Sequence, residues 1–158
     1  MNASTHLAVG AFAGLTTVEY FSSGSSEFEK LFWAFIGGFV SHLFLDALPH
    51  EEYSVHGLKL GGVLLVEIVV TSVFLLSFVR SLSLKLIIIS GMIGGAFPDA
   101  INLFRLYVVN IPSLRFLGNI VHVIHFRRGS FFHLTFSFYA QAVITAITIL
   151  LVKFKTAS

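Results

Sequence analysis

The segment Ser41-His42-Leu43-Phe44-Leu45-Asp46-Ala47-Leu48-Pro49-His50 carries two imidazoles and a carboxylate within ten residues. On a helix, residues four apart sit one turn above each other. His42 and Asp46 therefore share a face, where a ring nitrogen and a carboxylate oxygen can meet one cation or two adjacent ones. Pro49 interrupts regular backbone and lets His50 turn back toward them. An isolated His-x-x-x-Asp also serves as a plain hydrogen-bonded pair, so the rest of the chain has to decide between the two. It contributes His6, His56, Asp99, His122, His125 and His133 and no cysteine. That removes thiolate sites and disulfides and leaves imidazole and carboxylate as the strong ligands. This donor set suits Zn²⁺ first, then Mn²⁺ or Fe²⁺, and matches Mg²⁺ less well. A dinuclear centre, with cations about 3.5–4 Å apart and a bridging aspartate, is also within reach of so many ligands.

Arg115, Arg127 and Arg128 lie among the last three histidines. Guanidinium groups there can clamp a phosphate or simply meet anionic lipid. In a phosphoester reaction the candidate catalytic residues are Asp46, Asp99, Arg127 and Arg128. Glu67 stands in an apolar run, roughly 14 Å along its expected helix at 1.5 Å per residue. A carboxylate at that depth is a functional candidate by default. The alternative is a structural hydrogen bond to a neighbouring helix, and the residue looks too deep to ligate a metal at the interface. Glu51 and Glu52 read as solvated loop residues.

These residues must be positioned by membrane-spanning elements. The 158-residue chain is 56% hydrophobic and 11% charged, with a mean hydropathy of +0.89. It holds more apolar side chain than a soluble core of this length can bury, so lipid is its expected solvent. The net charge of +2 leaves no nucleic-acid footprint. The N-terminus lacks the basic region and cleavage site of a secretory signal, so it is expected to be retained. Apolar runs predict helices over 6–21, 29–48, 58–79, 82–104 and 131–153, the first being short for a span. After Pro112, Arg115, Gly118, Asn119, His122 and His125 fall on one side of a helical pattern opposite apolar residues. That segment reads as an interfacial amphipathic helix or as a linker lying on the headgroups. The expected fold is all-α: a single domain over 1–158, a polytopic bundle of about five transmembrane helices plus one interfacial helix.

Threaded alternately, these spans place all seven histidines and both aspartates at one face of the bilayer. Stripes of small and polar residues run beneath them: His6/Gly10/Gly14, Gly38/His42/Asp46, Gly91/Gly95/Asp99/Asn102 and His133/Ser137/Gln141/Thr145. Such stripes let helices pack closely and turn ionisable groups inward, or serve packing alone. A short echo relates Ile36-Gly37-Gly38-Phe39 before Asp46 to Ile93-Gly94-Gly95-Ala96-Phe97 before Asp99. Five basic residues fall on each side, so charge does not assign orientation.

Thr5-His6-Leu7-Ala8-Val9-Gly10, Gly38-Phe39-Val40-Ser41-His42-Leu43-Phe44-Leu45-Asp46 and Gly94-Gly95-Ala96-Phe97-Pro98-Asp99 together resemble the bacterial inner-membrane metal-dependent hydrolases. The His-x-x-x-Asp with its following Pro and His is also similar to the signature of zinc-dependent phospholipases C. Here the Ser-His-x-x-x-Asp element precedes the Pro-Asp element, the reverse of the family's order. Arg127-Arg128-Gly129-Ser130-Phe131-Phe132-His133 lacks the first histidine of its counterpart, and Asn102 stands where a further acid or histidine is expected. The resemblance transfers most directly to His6, His42, Asp46 and Asp99. Position alone ranks His50 and His125 ahead of His122, His133 and His56. It implies an integral protein of a bacterial inner membrane that hydrolyses a phosphoester or lipid headgroup through metal-activated water, with membrane lipids as partners. The other readings are a metal-ion or proton transporter using the histidines and Glu67, and a non-catalytic protein stapled by a structural metal. The oligomeric state is not legible.

Overall fold

Helix boundaries follow from local chemistry at several points. Ser26 caps the second helix: its hydroxyl accepts from the Glu29 N–H at 3.3 Å, and the Glu29 carboxylate accepts from the Ser26 N–H at 2.9 Å. Ser137 caps the last helix by accepting from the Ala140 N–H at 3.3 Å. The computed structural model describes residues 2–22, 24–48, 58–108 and 137–157, with the backbone alone for 58 and 102–108. These residues form α1 (Ala3–Phe21), α2 (Glu27–Asp46), α3 (Leu58–Ser77), α4 (Leu82–Val108) and α5 (Phe138–Ala157), and no strand occurs among them. The expected all-α bundle is thus the observed architecture. The segment read as an interfacial helix lies outside the described residues.

α2, α3, α4 and α5 are each long and apolar enough to cross a membrane. α1, with its glycines, threonines and Glu19, is not one of these four, and its surroundings remove the need. It packs against all four other helices and buries Thr5, His6, Leu7, Ala8, Gly10, Ala11, Gly14 and Leu15. α1, α3 and α5 run one way, α2 and α4 the other: Phe21 stacks on Trp33 with centroids 5.5 Å apart, while Glu27 accepts from the Ser83 hydroxyl at 2.6 Å. At that same end Lys155 pairs with Glu19, and Lys153 lies 5.1 Å above the Phe78 ring.

α1, α2 and α4 form the tight centre because glycines let their backbones touch. A Cβ on Gly10 would stand 2.6 Å from the Gly91 carbonyl oxygen, and one on Gly14 would stand 2.9 Å from Gly91 Cα and 3.0 Å from the Ala34 carbonyl oxygen. Without a hydrophobic force between helices in lipid, such contact and interhelical hydrogen bonds supply the association. The Ser90 hydroxyl adds one, donating to the Leu31 carbonyl at 2.7 Å. The stripes therefore do serve packing, and the same packing sets the distance between the ligand-type residues at their ends.

Two expected bounds need correction. α4 continues to Val108, four residues past its expected end at 104, with Asp99 inside the helix. Pro98 interrupts only one ladder bond, a loss that buried membrane helices tolerate. α5, described from Phe138 behind its Ser137 cap, runs to Ala157, so the expected span over 131–153 stops too soon, while its residues 131–136 lie outside the described residues. Glu67 lies midway along α3 yet is level with the start of α1, because its carboxylate accepts from the Ser4 N–H at 3.3 Å.

Candidate metal centre

His6 on α1, His42 and Asp46 on α2 and Asp99 on α4 converge at one end of the central trio. His42 Nε2 lies 3.0 Å from Asp46 Oδ2 and 3.9 Å from Asp99 Oδ1. His6 Nε2 lies 3.5 Å from Asp46 Oδ1 and 4.0 Å from Asp99 Oδ2. The two imidazoles stack with centroids 4.2 Å apart and planes 29° apart, so their Nε2 atoms address the same carboxylates. Ligand atoms around a tetrahedral cation with bonds of 2.0–2.1 Å stand about 3.4 Å from one another. With one ligand atom taken from each residue, His6, His42 and Asp99 lie within 4.8 Å of one another, and Asp46 stands beside both imidazoles at 3.0 and 3.5 Å.

The tautomer of His42 follows from its other nitrogen. Nδ1 lies 2.6 Å from the Gly95 carbonyl oxygen, which can only accept, so Nδ1 carries a proton. Nε2 then faces a carboxylate oxygen at 3.0 Å. Two lone pairs at that distance repel unless a positive charge, a proton or a metal ion, lies between them. A histidine that donates one N–H to a carbonyl and aims the other nitrogen at a cation is the usual way such ligands are oriented. Gly95 makes the bond possible, because a side chain there would meet Gly10 Cα at 3.1 Å.

Burial gives the cluster a closed and an open side. His6 and His42 are 1% and 0% exposed, Asp46 9%, and Asp99 49%. The imidazoles form the floor, and access is past Asp99. α2 ends at Asp46 and α1 starts three residues before His6, whereas α3 has nine residues before Glu67 and α4 nine after Asp99.

Four expected site residues, His6, His42, Asp46 and Asp99, are thus brought together. His50, His56, His122, His125, His133, Arg115, Arg127 and Arg128 lie outside the described residues, and the side chain of Asn102 is not described. Glu67 is not a member of the cluster; it bonds to the start of the helix that carries His6. Sequence reading missed the Gly95 carbonyl, the partner that orients His42. Its signal was a glycine four residues before Asp99, on the face that already held Gly91. Comparison of the chain with protein-family models, curated proteins and solved structures returns no match.

Proposed function

We propose that the protein is a membrane-embedded, metal-dependent hydrolase of a phosphoester, with a lipid headgroup as the favoured substrate. The observation that carries the reading is His42 Nε2 held by the Nδ1–Gly95 bond against the Asp46 carboxylate, with His6 and Asp99 within 4.0 Å. Two imidazoles and two carboxylates from three helices fit Zn²⁺ first and Mn²⁺ or Fe²⁺ next. When bound there, a divalent cation supplies polarisation of a phosphoryl oxygen and a water acidic enough to attack near neutral pH.

The chain's own residues account for the remainder. His6 and His42, sealed from water, fix the floor of the site. Asp99, half exposed, faces the open side where substrate enters and can take a proton from an attacking water. Arg127 and Arg128, from the sequence, are assigned to the developing phosphate charge. A site that opens at Asp99 beside the ends of membrane-spanning helices favours a substrate held in the bilayer. The integral location is consistent with four spanning helices, and the bacterial inner membrane is the setting this reading adopts.

A second reading rests on one observation. The cluster ties together α1, α2 and α4, the three helices that pack most extensively, as a structural staple would. Purified wild type loaded with Zn²⁺ is assayed for release of phosphate-containing headgroups from mixed phospholipid vesicles and for hydrolysis of a soluble phosphodiester. Turnover on either substrate that requires bound Zn²⁺ supports the hydrolase. Stoichiometric metal with no turnover on either substrate class supports the staple, and absence of metal removes both.

A further inference from the structure

α1 begins without a cap of its own. Asn2 occupies the N-cap position, yet its side chain makes no capping hydrogen bond. The first N–H groups of a helix have no partner within it, and in a bilayer leaving one unsatisfied costs several kcal/mol. Neighbouring helices supply what the local sequence does not. The Glu67 carboxylate of α3 accepts from the Ser4 N–H at 3.3 Å, and the Gln141 side-chain oxygen of α5 accepts from the Asn2 N–H at 2.8 Å. Below them the Thr5 and Thr145 hydroxyls meet at 2.9 Å. All three contacts fall within the four residues before His6.

From this arrangement we infer that Glu67 is a positioning residue for the candidate metal centre: its carboxylate anchors the start of α1 from α3 and so fixes where His6 stands against His42, Asp46 and Asp99. The inference rests on the metal reading above for its functional meaning, but the anchor itself exists without metal. It also gives the one carboxylate within the α3 span a task other than ion conduction. The fourth stripe of the sequence finds its use here as well, since Gln141 and Thr145 hold the same helix end from α5.

What matters on this account is an acceptor oxygen at the right reach, and three substitutions separate reach from charge. Gln keeps the reach and an acceptor but loses the charge. Asp keeps the charge but withdraws the oxygen by one methylene. Leu removes the acceptor. Amide hydrogen exchange of metal-free protein, read on the peptide covering residues 2–8, is expected to match wild type in Glu67→Gln and to rise roughly tenfold or more in Glu67→Asp and Glu67→Leu. Exchange in residues 85–95 stays at the wild-type level in every folded variant. Zn²⁺ affinity follows the same order, with losses of about tenfold to a hundredfold for Asp and Leu, and the loss for Leu vanishes in a His6→Ala background. Glu67→Asp supplies the answer if Glu67→Leu does not fold. Equal exchange in Asp and wild type with faster exchange in Gln overturns the inference in favour of charge. Losses of affinity that add to that of His6→Ala overturn the route through His6. A wild type that binds no Zn²⁺ sinks the metal reading alone, because the exchange experiment stands without it.

Discussion

Gly91→Ala is the substitution whose effect the geometry fixes most closely. A Cβ at Gly91 would lie 2.5 Å from the Gly10 carbonyl oxygen, 3.2 Å from Gly10 C and 3.3 Å from Ala11 Cα. Carbon and carbonyl oxygen meet at about 3.3 Å, so α1 and α4 must part by roughly 0.8 Å. All three obstacles are backbone, and no rotamer change relieves them. Overpacking of this kind costs about 1–3 kcal/mol. The consequence reaches the cluster, because Gly10 is one turn from His6 and Gly91 two turns from Asp99. His6 Nε2 and Asp99 Oδ2 already stand 4.0 Å apart, and two ligands of one cation cannot exceed about 4.2 Å with bonds of 2.1 Å. Denaturant unfolding in detergent, followed by Trp33 fluorescence, and Zn²⁺ competition with a chromophoric chelator are the assays. Gly91→Ala is expected to lose stability by that amount and Zn²⁺ affinity by roughly tenfold or more. Gly62→Ala is the control, since a Cβ there meets nothing within 4 Å. Equal behaviour of the two variants refutes the close-packing argument.

Other perturbations test separate links. Asp46→Asn removes the negative charge nearest to both imidazoles, and calorimetry should show Zn²⁺ affinity falling at least about tenfold with helix content by circular dichroism unchanged. Zn²⁺ at a hundredfold excess over its Kd should stabilise wild type by about 2.7 kcal/mol against unfolding and His42→Ala far less. Ser26→Ala breaks the reciprocal cap at the opposite end, and should cost about 1 kcal/mol in unfolding while leaving metal affinity unchanged.

How much of this was legible in the sequence differs from residue to residue. His42 and Asp46 could be paired directly, because a four-residue spacing on one helix fixes their relation. Bringing Asp99 and His6 to them needed three helices in register, and the glycines at 10, 38, 91 and 95 carried that register, since close approach at those points leaves little axial freedom. Glu67 makes the hydrogen bond to a neighbouring helix that was one of its two readings, but its partner, Ser4, was not legible. Its depth depends on how far α3 slides along α1, and nothing within α3 records that offset. The end of α4 was placed four residues early because Arg105 opens a more polar stretch of sequence, whereas the backbone stays helical to Val108.

The metal content of wild-type protein measured after purification without chelator, beside His42→Ala, tests the central claim most directly. The account predicts a stoichiometric divalent cation, zinc foremost, in wild type and its loss from a folded His42→Ala. Wild type that carries no metal, and takes up none when Zn²⁺ is supplied, would contradict it.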